Sequence, residues 1–126
     1  MRLLVGVLIL LVAIAGFTTF IYYQTSEIAG DLTASLSRLQ EEVERENWEA
    51  ASAEVSRLKK EWERADRWWT PFMDHREIDV LDQTIVRVAR LVAIEQKEDA
   101  LVEVIVATSM VQRLRDREGP SLRNVF

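Results

Sequence analysis

The run from Leu3 to Tyr23 constrains this chain more than any other stretch of its sequence. It holds 21 consecutive residues without a charged side chain, behind a single basic residue, Arg2. A helix that rises roughly 1.5 Å per residue makes this run about 31 Å long, which matches the hydrocarbon thickness of a bilayer. The run therefore predicts an N-terminal membrane anchor, residues 1–23, followed by a domain, residues 24–126, held at a membrane surface.

A cleaved signal peptide is the alternative for the same run. The segment 13–15 (Ala-Ile-Ala), followed by Gly16, has the small-x-small pattern that signal peptidase accepts. Cleavage after Ala15 would follow a very short leader and would leave a strongly apolar new terminus. An uncleaved anchor accounts for the whole run, and Tyr22 and Tyr23 at its end suit the headgroup boundary.

Charge predicts the orientation of the anchor. Arg2 flanks one end, whereas beyond Tyr23 the acidic Glu27 and Asp31 come before the first basic residue, Arg38. This asymmetry predicts a single-pass protein of the cell membrane with a cytoplasmic N-terminus and an extracytoplasmic C-terminal domain.

Composition limits what that domain can bind. The chain has no cysteine, so the domain is held without disulfides, and after Tyr23 it has 21 acidic and 15 basic residues with both signs interspersed. Such a surface argues against a nucleic-acid partner and against a polybasic lipid patch.

Apolar residues recur at steps of three and four after Gln24, which predicts helices over about 26–46, 48–69, 75–95 and 99–118. Asn47 is the expected N-cap of the second helix and Asp74 that of the third. The fold class expected is all-α: one N-terminal transmembrane helix followed by an up-down bundle of about four antiparallel helices, the first continuous with the anchor or separate from it. The two clearest predicted stripes are Trp48, Ala51, Val55, Leu58, Trp62, Ala65 and Trp69 in the second helix, and Leu101, Val104, Ile105, Thr108, Val111 and Leu114 in the fourth.

An internal repeat is a further hypothesis. Placing Asn47 over Asp99 sets Val55 against Ala107 and makes the domain two similar helical hairpins, although amphipathic helices of equal length also produce such matches.

The ends of the predicted helices supply the candidate interaction residues. If the first helix rises from the bilayer, the second descends and returns the turn after it to the membrane surface. Trp68 and Phe72 in that region lie off the apolar stripe, whereas Trp62 and Trp69 lie on it and are expected in the core. The fourth helix also descends, which brings Leu122 and Phe126 to the same level.

His75, Asp79 and Asp82 form the candidate polar site. Their spacing places them on one side of the third helix, where an imidazole and two carboxylates are suitable ligands for a divalent metal. The alternative is a capped, ion-paired helix start, because acidic residues are favoured there by the helix dipole. The chain has no phosphate-binding glycine loop and no serine in a histidine-containing motif, so the sequence predicts neither a cofactor nor catalysis.

These features together resemble a known family. The N-terminal anchor, Trp48 and Trp62 on one helix, the segment 75–82 and the ending 121–126 are similar to domain-of-unknown-function family forty-three sixty-three, small anchored helical proteins of Gram-positive bacteria. The resemblance implies location and fold but no activity. It also implies a neighbouring multi-spanning membrane protein as partner.

The sequence thus predicts a non-enzymatic, membrane-anchored helical interaction module, an accessory to a membrane protein, with Leu3 to Tyr23 in the lipid bilayer. A ligand- or metal-binding domain centred on His75, Asp79 and Asp82 is the alternative hypothesis. Self-assembly into a homo-oligomer through the helical seams is a third.

Overall fold

The computed structural model describes residues 1–118, with side chains as far as Asp116, and this part of the chain forms four α-helices and no strand. The helices are α1 (Arg2–Glu44), α2 (Trp48–Trp69), α3 (His75–Ala93) and α4 (Lys97–Glu118). Both α1 and α3 pack against α2 and α4, and short turns join successive helices. The arrangement is an up-down bundle, which confirms the predicted all-α fold class.

One continuous helix, α1, contains both the apolar run and the first helix of the bundle. At roughly 1.5 Å per residue it is about 64 Å long. Residues 1–20 are all exposed, and burial begins only at Ile28. Among residues 1–118, α1 is the one helix long and apolar enough to cross a membrane, as a membrane anchor or a signal sequence would be.

The core follows the predicted stripe of α2. Six residues of that stripe are buried, and Trp48 at the start of the helix is half-buried. Trp62 and Trp69 are 6% and 1% exposed and meet edge to face, with ring centroids 6.4 Å apart. Their prediction as core residues is confirmed.

The predicted stripe of α4 is wrong at Ile105, which is 55% exposed. The side chains that α4 buries are Ala100, Val104, Ala107, Val111 and Leu114. These five repeat at four and three, and two of them are alanines. The prediction includes Ile105 because it lies four residues after Leu101 and three before Thr108, which is also the spacing of one helical face.

Local sequence sets the helix starts. The Asn47 side chain accepts a hydrogen bond from the backbone N–H of Ala50 at 3.4 Å, and that of Asp74 accepts one from Arg76 at 2.8 Å. Both predicted N-caps are therefore confirmed. By contrast, α4 begins two residues before the predicted Asp99.

The turns α1–α2 and α3–α4 are copies of each other. Glu46 and Glu95 both adopt the left-handed conformation, with φ of 56° and 57°. In each turn the following residue donates its backbone N–H five residues back: Asn47 to Glu42 and Gln96 to Leu91, both at 2.9 Å. The displacement between the turns is 49 residues, so Asn47 corresponds to Gln96 and the predicted pairing with Asp99 is wrong.

Side-chain contacts repeat at the same displacement. Arg38 Nε lies 3.3 Å from Glu54 Oε2, and Arg87 Nε lies 3.3 Å from Glu103 Oε2. Each arginine also donates to a buried hydroxyl three residues earlier, that of Ser35 or Thr84. The bundle consequently consists of two equivalent helical hairpins: the first is the part of α1 from residue 28 onward with α2, and the second is α3 with α4.

Candidate functional site

The candidate site lies at the end of the bundle next to the apolar run. Trp68 in the last turn of α2 meets Phe20 of α1 edge to face, with ring centroids 6.3 Å apart. The α2–α3 turn therefore lies beside the end of the apolar run.

The aromatic turn has one buried side and one exposed side. Trp69 and Met73 are buried, whereas Trp68 is 38% and Phe72 is 51% exposed. Phe72 makes no ring contact with another aromatic side chain among residues 1–118. The turn thus presents an apolar surface of two aromatic rings at the point where the bundle meets the apolar helix. Leu122 and Phe126, the other predicted contact residues, lie outside the described residues.

The three residues of the candidate metal site have different surroundings in the structure. Asp82 Oδ1 accepts a hydrogen bond of 2.7 Å from the indole Nε1–H of Trp62, so this carboxylate joins α3 to α2. His75, directly after the Asp74 cap, and Asp79, in the second turn of α3, are both exposed. Within the described ranges, no three histidine, aspartate or glutamate side chains are grouped so that they could hold a metal ion.

A cavity of about 260 Å³ opens between the start of α3 and the end of α4. Most of its lining is apolar, and the residues that line it are Arg76, Glu77, Val80, Met110, Arg113 and Leu114. Arg76 and Arg113 come from different helices, and among the described side chains, which end at Asp116, neither guanidinium group has a hydrogen-bond or ion-pair partner. The cavity therefore combines an apolar floor with two guanidinium groups that are available to an anion.

Sequence reasoning missed this cavity. Its residues lie in two segments that are 30 positions apart at their nearest residues, Val80 and Met110, and no local motif connects them. The alignment of the two hairpins nevertheless contains a difference that could have indicated the cavity. At the displacement of 49 residues, Arg64 aligns with Arg113, and the acidic Asp31 aligns with the apolar Val80.

Comparisons with known proteins give one result for this chain. A family model described as a domain of unknown function (DUF4363) matches residues 19–125. The match covers the whole bundle and only the end of the apolar run. No curated protein and no solved structure matches the chain.

Proposed function

This chain belongs to the DUF4363 family, and we propose that it is a membrane-anchored helical interaction module that acts as an accessory to a membrane protein. The apolar run of α1 spans the bilayer in this proposal, with the N-terminus in the cytoplasm and the bundle outside. The module performs no catalysis. Its mechanism is to present a rigid contact surface at a fixed height above the membrane.

The contact between Phe20 and Trp68 is the observation that carries this proposal. Phe20 belongs to the uncharged run, three residues before Tyr23, so the ring of Trp68 reaches the level of the apolar segment. Because α1 has no break between the run and the bundle, the height of the aromatic turn is fixed by the helix itself. Exposed aromatic side chains at such a height suit either the bilayer interface or the surface of another membrane protein.

The exposure of Phe72 favours a protein contact over a purely structural role. Phe72 and Trp68 lie four residues apart and are both exposed, so the turn presents two apolar rings together rather than one isolated apolar side chain. Aromatic side chains are also enriched among the residues that contribute most to protein interfaces.

Photo-crosslinking in the native membrane tests the proposal. A photoreactive phenylalanine analogue replaces Phe72 in one version of the full chain and Ile105 in a second, since Ile105 is similarly exposed but lies on the outer face of α4. We expect position 72, and not position 105, to attach to one membrane protein, and Phe72→Ser to reduce co-purification of that protein.

Three outcomes would contradict the accessory role. These are adducts from position 105 alone, attachment of position 72 to lipid only, and crosslinked dimers of this chain, which would favour self-assembly. The alternative of a metal-binding domain at His75, Asp79 and Asp82 has no supporting geometry among the described residues, where no three histidine, aspartate or glutamate side chains are grouped as metal ligands.

A further inference from the structure

We propose that the cavity between α3 and α4 binds the phosphate of an anionic phospholipid headgroup through Arg76 and Arg113. The apolar part of the same lipid contacts Val80, Met110 and Leu114. This inference rests on the proposed membrane attachment of α1.

The two hairpins of the bundle differ at the place where the cavity lies. In the first hairpin, Arg64 Nη1 lies 3.3 Å from Asp31 Oδ2 and 4.0 Å from Glu61 Oε2. An arginine of α2 is thus held by carboxylates of α1 and of its own helix. Arg64, Asp31 and Glu61 align with Arg113, Val80 and Met110, which line the cavity in the second hairpin.

The second hairpin keeps the arginine and lacks both carboxylates. Arg113 corresponds to Arg64, whereas Val80 stands at the position of Asp31 and Met110 at that of Glu61. Arg113 therefore lines a mostly apolar cavity, whereas Arg64 lies beside two carboxylates. A bound anion would take the place that Asp31 occupies beside Arg64.

A second charge difference strengthens this inference. Arg76 corresponds to the acidic Glu27, the residue of α1 directly before the first hairpin, so a base stands at the start of α3 where α1 has an acid. Glu77 also lines the cavity, which leaves two guanidinium groups and one carboxylate around it. The two guanidinium groups suit a phosphodiester, because guanidinium groups bind phosphate oxygens in a bidentate manner.

The height of the cavity favours a lipid over a free anion. By the correspondence of the hairpins, Arg76 lies level with Glu27, four residues or about 6 Å beyond Tyr23. The headgroup layer on each side of a bilayer is roughly 5–7 Å thick, so Arg76 lies within it. Arg113 lies about 12 Å beyond Tyr23, level with Asp31, and a long arginine side chain extends readily toward the headgroups.

Methionine-methyl NMR of the full chain in a nonionic detergent tests the proposal. The probes are dihexanoyl phosphatidylglycerol, dihexanoyl phosphatidylcholine and inorganic phosphate. Met110 lines the cavity, whereas Met73 is buried in the core. The Met73 methyl signal is therefore the internal control for effects that do not arise in the cavity. We expect phosphatidylglycerol to shift the Met110 signal saturably and to leave Met73 unchanged, with phosphatidylcholine binding roughly tenfold more weakly or worse.

Variants distinguish the site from general apolar binding. Arg113→Gln and Arg76→Gln are expected to weaken phosphatidylglycerol binding by roughly tenfold, whereas Arg64→Gln, the matched change in the first hairpin, leaves it unchanged. Val80→Asp places in the second hairpin the carboxylate that Asp31 provides in the first. We expect it to abolish binding while the melting temperature is kept or raised, because Val80 is 49% exposed and tolerates a polar side chain.

Several results would overturn the lipid site. They are equal binding of the two lipids, an equal response to inorganic phosphate alone, and unchanged binding by Val80→Asp. The lipid site would also be rejected if phosphatidylglycerol shifted the Met110 signal in a chain shortened to residue 118 but not in the full chain. That result would mean that residues 119–126 compete with the lipid for the cavity. Each of these rejects the lipid site without affecting the crosslinking result at Phe72, which tests the proposed function separately.

Discussion

At the scale of single residues, the hydrogen bond from Trp62 to Asp82 joins two helices that face each other in the bundle. The indole is 6% exposed, so its N–H has little access to water, whereas Asp82 is exposed. At 2.7 Å and with a carboxylate acceptor, this is a strong hydrogen bond. The bond therefore satisfies a buried donor with an acceptor at the surface.

Replacing Asp82 by alanine should lower the free energy of unfolding by about 1–3 kcal/mol, because the buried N–H of Trp62 loses its acceptor. The matched control is Asp79→Ala, one turn earlier on α3 and exposed, with an expected change within about 0.5 kcal/mol. Chemical unfolding of the full chain in detergent, followed by circular dichroism, measures both. Equal effects of the two substitutions would mean that the bond contributes nothing beyond helix propensity.

At the scale of elements, the turns α1–α2 and α3–α4 end their helices in the same way. Glycine is the usual residue at a left-handed position after a helix, because a side chain there clashes with the backbone. Here glutamate occupies that position in both turns, at Glu46 and Glu95. Both turns therefore carry a conformational cost that their hydrogen bonds offset.

Glycine at either position should raise the free energy of unfolding by about 1 kcal/mol, since it relieves the left-handed strain. The two gains should be similar and additive, because the turns have the same backbone geometry and lie in different hairpins. Glu44→Gly is the control: Glu44 is the last residue of α1, where glycine should instead cost up to about 1 kcal/mol. The glutamates would be shown to have another stabilising role if Glu46→Gly or Glu95→Gly destabilised the protein.

At the scale of the whole molecule, the continuity of α1 fixes the bundle relative to the apolar run. Residues 1–20 extend beyond the bundle as a single exposed helix, and Phe20 contacts Trp68 at the far end of α2. The first residue of α2, Trp48, lies at the other end of the bundle, roughly 30 Å away along the helix axis. The two tryptophans therefore test the proposed orientation of the bundle above a membrane.

In vesicles of brominated phosphatidylcholine, Trp68 fluorescence should be quenched strongly and Trp48 fluorescence little, because bromine quenches only at short range. Trp68→Phe should remove most of the lipid-quenched signal of the full chain, and Trp48→Phe should leave that signal nearly unchanged. Comparable losses in the two variants would mean that the bundle lies flat on the bilayer rather than upright.

The sequence by itself determined the features that depend on neighbours along one helix. The all-α class, the caps at Asn47 and Asp74 and the buried stripe of α2 follow from spacing and backbone preference, which act over a few residues. The exposure of Trp68 follows from the same spacing.

Only the tertiary structure decided which helix faces lie against one another. In the folded bundle Ile105 faces outward and Asp82 accepts a hydrogen bond from Trp62. The two hairpins are displaced by 49 residues, which differs from the pairing of Asn47 with Asp99. The fold also brings Arg76 and Arg113 to one cavity. These features depend on the rotation and register of packed helices, which are set by contacts between residues far apart in the chain and leave no local pattern.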